Sequence, residues 1–105
     1  MAWLYLVCAG MFEIGWPVGL KMTQTPGRFY LGLLIAIACL ALSGWMLWMA
    51  QKEIPLGTAY AVWTGIGAAG TFLVGVMVYG DPTSLVRWLA VALIISGVIL
   101  LKLAH

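Results

Sequence analysis

One carboxylate stands alone inside a long apolar run. Glu13 lies near the middle of residues 2–20, between Ala9-Gly10-Met11-Phe12 and Ile14-Gly15-Trp16-Pro17-Val18, with no cation close to it in sequence. Helical spacing puts Ala9 (i−4), Gly10 (i−3), Trp16 (i+3) and Pro17 (i+4) on its face. The small residues leave room for a ligand and Trp16 offers a flat wall. Pro17 has no N–H, so it bends the helix or leaves the Glu13 carbonyl without its usual donor. A second face, formed by Tyr60, Trp63, Thr64 and Gly67 at i, i+3, i+4 and i+7, carries a phenol, an indole and a hydroxyl in apolar surroundings. Ser43 is the one central polar side chain of the second apolar block. An acid at such depth in a lipid-spanning helix marks an ion or substrate pathway. Two such carboxylates brought together by a dimer are disfavoured in their ionised form by desolvation and by each other. Protons then compete near neutral pH with a cationic guest, which aromatic walls attract through cation–π contact. The plainer alternatives are a structural Glu13, paired with Lys102 or neutral, and ordinary helix packing for Tyr60 and Trp63.

The elements that must position these groups are membrane spans. Of the 105 residues, 65% are hydrophobic and 8% charged, and the mean hydropathy is +1.11. A soluble domain of this size could not cover so much apolar surface. Four apolar blocks, roughly 2–21, 29–50, 56–79 and 85–104, each match the ~20 residues that cross a hydrocarbon core of about 30 Å. The expected fold is therefore all-α and integral to the membrane, a single four-helix domain over residues 1–105. Every charged residue except Glu13 falls in a loop or at a block end, and Pro26, Pro55 and Pro82 fall one in each inter-block segment. The first block lacks a basic leader, contains an acid and is too long for a signal h-region, so it is expected to be retained.

Other motifs carry less. Gly65-Ile66-Gly67-Ala68-Ala69-Gly70 spells the dinucleotide pattern, yet it has neither a preceding strand nor an acid at the right distance. Gly65 and Gly67 instead suggest a flexible point midway along the third helix, or a small-residue packing face. Cys8 and Cys39 fall within apolar blocks as thiols rather than a disulfide, and His105 has no partner at metal-ligand spacing. Trp3, Trp88 and Tyr79 suit interfacial anchors, and Lys102 can snorkel to the interface. Trp45 and Trp48 suit packing or lipid contact, or the shaping of a side entrance. No nucleophile–base set is present, which argues against an enzyme, and nothing indicates nucleic acid or a cofactor.

Orientation signals are weak. Lys52 and Lys102 lie on the side of the termini, and Lys21, Arg28 and Arg87 on the other, a two-to-three split. Either an unseen partner sets the topology or the chain inserts both ways, in which case opposite copies can pair as an antiparallel homodimer. In the fourth block, Ala90, Leu93, Ile94, Gly97 and Leu101 make a small-and-aliphatic stripe suited to such a contact.

Across its whole length the chain resembles the small multidrug resistance transporters, and among them the guanidinium-exporter subtype. The most specific stretch is PLGTAYAVWTGIGA over residues 55–68, close to that subtype's third-helix signature. Glu13 with Trp16, the Gly19-Leu20-Lys21 ending of the first block and the Leu100-Leu101-Lys102 ending of the fourth also fit. The resemblance implies an antiparallel, dual-topology homodimer in the bacterial inner membrane, exchanging protons for guanidinium without a cofactor. It implies that Glu13 of both copies binds proton or cation and that Gly10, Trp16, Ser43, Tyr60 and Trp63 line or order the site. Ser43 and Trp63 would hydrogen-bond the carboxylates, and Gly65 with Gly67 would give the bend used in switching. The chain departs from the family pattern at Pro17, in the first loop (Met22–Arg28), and in the bulk of Trp45 and Trp48, which bear on substrate range. Three other readings remain: export of quaternary ammonium or polyaromatic cations, a small structural membrane subunit, and one half of an obligate heterodimer, against which the small charge bias argues.

Overall fold

The computed structural model describes residues 1–104; His105, to which no metal role is assigned, lies outside them. Four helices account for most of the chain: α1 (Ala2–Thr23), α2 (Phe29–Ala50), α3 (Leu56–Tyr79) and α4 (Leu85–Ala104). Each is long and apolar enough to cross a membrane, and even the 20 residues of α4 reach about 30 Å at ~1.5 Å per residue. The chain is an all-α, multi-pass membrane protein. α1 continues through Pro17 without a break and extends two residues past the apolar block, to Thr23. Lys21 lies in its last turn, where a cation complements the helix dipole. α3 stops at Gly80, whose left-handed backbone (φ 67°, ψ 28°) only glycine adopts freely.

The helices stand side by side in the spatial order α2–α1–α3–α4. α1 packs along α2 and against α3, α3 carries α4, and α2 scarcely meets α3. The result is a flat body with principal extents of 45 × 34 × 16 Å, the middle dimension close to four helices abreast at about 8–10 Å spacing. A row of helices encloses little. The accessible surface is 6629 Å², where a compact soluble monomer of 11.3 kDa exposes about 5,700 Å². α4 is the most open element: only 6% of its apolar span is buried, against 22% for α1 and α3.

The packed part lies toward the end that holds both termini and the 51–55 turn. There Leu6, Ala50, Ile54, Ala59 and Val62 are buried, with Trp3, Leu47, Ile66, Val98 and Leu101 against them. At the opposite end α1 and α2 touch backbone to backbone. A Cβ at Gly32 would come within 2.7 Å of the Thr23 nitrogen, and one at Gly19 within 2.6 Å of the Ala36 nitrogen. Close approach of this kind supplies the dispersion contact that holds helices together in lipid, where no hydrophobic drive exists between them.

Of the fourth-helix stripe expected to form a dimer contact, two residues also touch the rest of the chain. Ile94 and Leu101 turn toward α3: Ile94 reaches Gly65, and Leu101 joins the packed cluster. Ala90 and Leu93 remain exposed, and Gly97 has nothing within 4 Å of where a Cβ would stand. Positions 90 and 93 thus lie open, 94 touches α3 while remaining 38% exposed, and 101 is packed within the chain.

Gly32→Ala should destabilise the protein by about 1–3 kcal/mol through overpacking against backbone. Gly44→Ala in the same helix, where nothing lies within 4 Å, should be neutral or stabilising by up to about 1 kcal/mol. Thermal unfolding in detergent, followed by circular dichroism, compares the two.

Candidate functional site

Glu13 stands on α1 facing α3. Its carboxylate accepts a hydrogen bond from Trp16 Nε1, one turn further along the same helix. This pairing is local and follows from the i, i+3 spacing. Across the interface lies Gly67, where an added Cβ would overlap the Glu13 Cγ and stand 3.1 Å from its Cβ. Gly67 therefore makes the space that the acid's stem occupies. Lys102 is at the other end of the molecule, its ammonium 4.8 Å from the centre of the Trp3 ring, so Glu13 gains nothing from it.

A cavity of about 440 Å³ opens beside Glu13, walled by Trp16, Leu40, Tyr60, Trp63 and Thr64, with Gly67 and Thr71 completing its α3 side. Tyr60 and Trp63 meet at 5.4 Å between ring centres, tilted by 52°. The face expected from the 60, 63, 64, 67 spacing is thus the α3 wall of this cavity. Tyr60 is 55% exposed and Leu40 50%, so the cavity is open at one flank. Its chemistry is that of a cation site: one carboxylate, three aromatic rings and two threonine hydroxyls in a body with little other polarity. Among the described residues no three His, Cys, Asp or Glu side chains come together as a metal site would require.

Two expected lining residues are placed elsewhere. Gly10 is buried and does not line the cavity: a Cβ there would come within 2.7 Å of Ile66 Cβ. Its lack of a side chain admits α3 rather than a ligand. Ser43 is fully buried and lies behind the wall. Its hydroxyl donates to the Ala9 carbonyl at 2.7 Å and accepts from Trp63 Nε1 at 2.7 Å. The expectation that Ser43 and Trp63 bond the carboxylate is therefore corrected. Trp16 is the donor to Glu13, and the Trp63–Ser43–Ala9 chain ties α3, α2 and α1 together one turn below it. A buried hydroxyl and indole in lipid need partners, and these two satisfy each other.

Gly65 and Gly67 are close-approach points on two sides of α3, which runs unbroken through both. A Cβ at Gly65 would meet Val98 of α4 at 2.6 Å, as Gly67's would meet Glu13. Trp45 and Trp48 do not border the cavity. Trp45 lies edge-on to Tyr5 with centroids 6.0 Å apart, and Trp48 lies beneath the Lys52 ammonium at 4.4 Å. Cys8 and Cys39 are free thiols, Cys39 packing at Gly15.

The sequence offered no signal for the Gly10–Ile66 contact or for the Ser43-to-Ala9 bond, since both depend on helices adjacent only in space. Ser43→Ala should destabilise the protein by about 1–3 kcal/mol by stranding the Trp63 indole N–H. Combining it with Trp63→Phe should cost less than the sum of the two single changes. Chemical unfolding of the four proteins in mixed micelles gives this coupling energy.

A family model for the Small Multidrug Resistance protein matches residues 1–94. The chain is also similar to curated proteins named guanidinium exporter. It is 46% identical to that of Yersinia pseudotuberculosis over 104 residues, 99% of each chain, and equally to that of Proteus vulgaris. To that of Salmonella typhimurium it is 42% identical over 104 residues, 99% of this chain and 98% of the other. A matched model over nine-tenths of the length, with relatives aligned nearly end to end, places this chain in the small multidrug resistance family.

Proposed function

We propose that the protein exports guanidinium, and small substituted guanidiniums, in exchange for protons, working as an antiparallel homodimer in the bacterial inner membrane. The observation that carries this reading is the single membrane-embedded carboxylate, Glu13, on an aromatic-walled cavity of about 440 Å³. Guanidinium is planar and presents its N–H donors as a fork that two carboxylate oxygens accept together. Trp16, Tyr60 and Trp63 add attraction between the cation and ring faces, which strengthens away from water. Protonation of Glu13 removes the charge that holds the guest, so the two ligands exclude each other at one group. The names of the relatives, guanidinium exporters over essentially the whole chain, support the choice of substrate.

The dimer is supported by the shape of one chain. A four-helix row leaves the cavity open on its flank and leaves Ala90, Leu93 and Ile94 of α4 exposed. A second copy inserted the opposite way supplies a second Glu13 and closes the site. The near balance of basic residues, two against three, permits insertion both ways. Exchange of conformations between the copies then turns an inward-facing site outward, with Gly65 and Gly67 as the compliant part of α3. The proton gradient supplies the drive, and the protein acts as a transporter rather than an enzyme.

The aromatic walls favour a second reading, export of quaternary ammonium or polyaromatic cations, in which ring contacts outweigh hydrogen bonds. The decisive experiment is guanidinium-evoked current in proteoliposomes, with a tetra-alkylammonium as competitor. Wild type should give a guanidinium current, and Glu13→Gln should abolish it while still assembling as a dimer. Lowering the pH should weaken apparent guanidinium affinity, up to about tenfold per pH unit for each proton displaced. A current evoked by the tetra-alkylammonium and not by guanidinium would favour the second reading; no current from either would leave a structural subunit.

A further inference from the structure

A second cavity, of about 200 Å³, lies at the end of the protein that bears the 80–84 turn. Lys21, Thr71, Gly75, Tyr79 and Asp81 line it, together with Pro17. Pro17 and Thr71 also line the Glu13 cavity, so the two spaces meet across that pair. Packing is polarised in the same sense. The buried cluster fills the end that holds the termini, while the open volume runs from Glu13 toward the 80–84 turn.

Asp81 is held over this space by its own backbone. The N–H groups of Gly80 and Asp81 both turn back to the Gly75 carbonyl, that of Asp81 at 3.0 Å. The left-handed Gly80 makes the reversal possible. The carboxylate is brought so close to Gly75 that an added Cβ there would overlap Asp81 Oδ2 and stand 3.2 Å from its Cγ. Lys21 shares the cavity but leans on an aromatic ring, its ammonium 5.9 Å from the centre of Tyr79. Within 4.0 Å no Lys or Arg of the described residues pairs with Asp81. Arg87, the nearest guanidinium in sequence, is occupied with the Pro82 carbonyl at 2.9 Å.

We propose that Asp81, with Tyr79 and Thr71, forms an outer binding station for a guanidinium-class cation, from which the guest passes between Pro17 and Thr71 to Glu13. This rests on the transport reading above and adds a second site to it. The acceptors suit the guest: a carboxylate, a hydroxyl and a ring face around a space of molecular size. The position suits the task, since a fixed anion at the mouth of a low-dielectric cavity raises the local concentration of cations. Lys21 opposes it, placing a like charge at the same mouth. In an antiparallel pair each side of the membrane receives one such mouth.

The test is the KM for guanidinium-evoked current in proteoliposomes of the full-length protein, at low and high ionic strength. Asp81→Asn should raise KM about fivefold at low ionic strength, and the difference should shrink at high ionic strength as exposed charges are screened. Lys21→Gln should lower KM under the same low-salt conditions, and Asp81→Glu should recover most of the wild-type value. Gly75→Ala, which keeps the charge and displaces the carboxylate, should raise KM as Asp81→Asn does. If Asp81→Asn does not fold, Lys21→Gln decides alone: an unchanged or raised KM overturns the station. A wild-type current with Asp81→Asn indistinguishable from it also overturns the station and leaves the transport reading intact. A wild type with no guanidinium current overturns the transport reading, and the station with it.

Discussion

A carboxylate inside a lipid-spanning helix is the constraint to which the rest of the fold answers. Glu13 has no basic partner among the described residues, and Lys102 is committed to Trp3 at one end. What makes the acid tolerable is a set of small provisions: the Trp16 indole as donor, a missing side chain at Gly67, and a cavity on its flank. None of these neutralises a charge. A group so provided for is stable when protonated or when a cation fills the cavity, and poorly supported otherwise. Binding of one cation or one proton is the state toward which the surroundings are built.

The side-by-side order α2–α1–α3–α4 follows from the glycines and alanines along α1 and its neighbours. Gly10 admits α3, and Gly19 with Gly32 and Ala36 locks α2 against α1. α3 in turn receives α4 at Gly65. Tight pairwise contacts on successive helices produce a row rather than a closed bundle, and a row leaves both its faces and its last helix uncovered. The Trp63–Ser43–Ala9 chain is a polar link joining three helices, and it fixes the wall of the cavity just below the acid. The site is therefore firm on its packed side and open on the other.

Much of this was legible before the fold was known. Spans could be read because apolar length and the position of charges answer directly to bilayer thickness. The Glu13–Trp16 pair and the Tyr60–Trp63–Thr64–Gly67 wall were legible because helical periodicity alone sets them. What could not be read were relations between helices. Gly10 has the composition of a ligand pocket and serves as a contact for Ile66. Ser43 has the chemistry to bond a carboxylate and bonds a backbone carbonyl instead. Leu101 of the 90–101 stripe joins the packed cluster, and the fold of Asp81 over Gly75 depends on a turn whose closure no local pattern announces. The family's third-helix signature brought the right residues into view without saying which of them touch.

The most direct measurement is proton release by purified protein in weakly buffered detergent solution when guanidinium is added. At a pH where protons and guanidinium compete, wild type should release protons in proportion to the cation bound, and Glu13→Gln should release none. Saturable guanidinium binding with no proton release across the neutral range, or release undiminished in Glu13→Gln, would contradict exchange at this carboxylate.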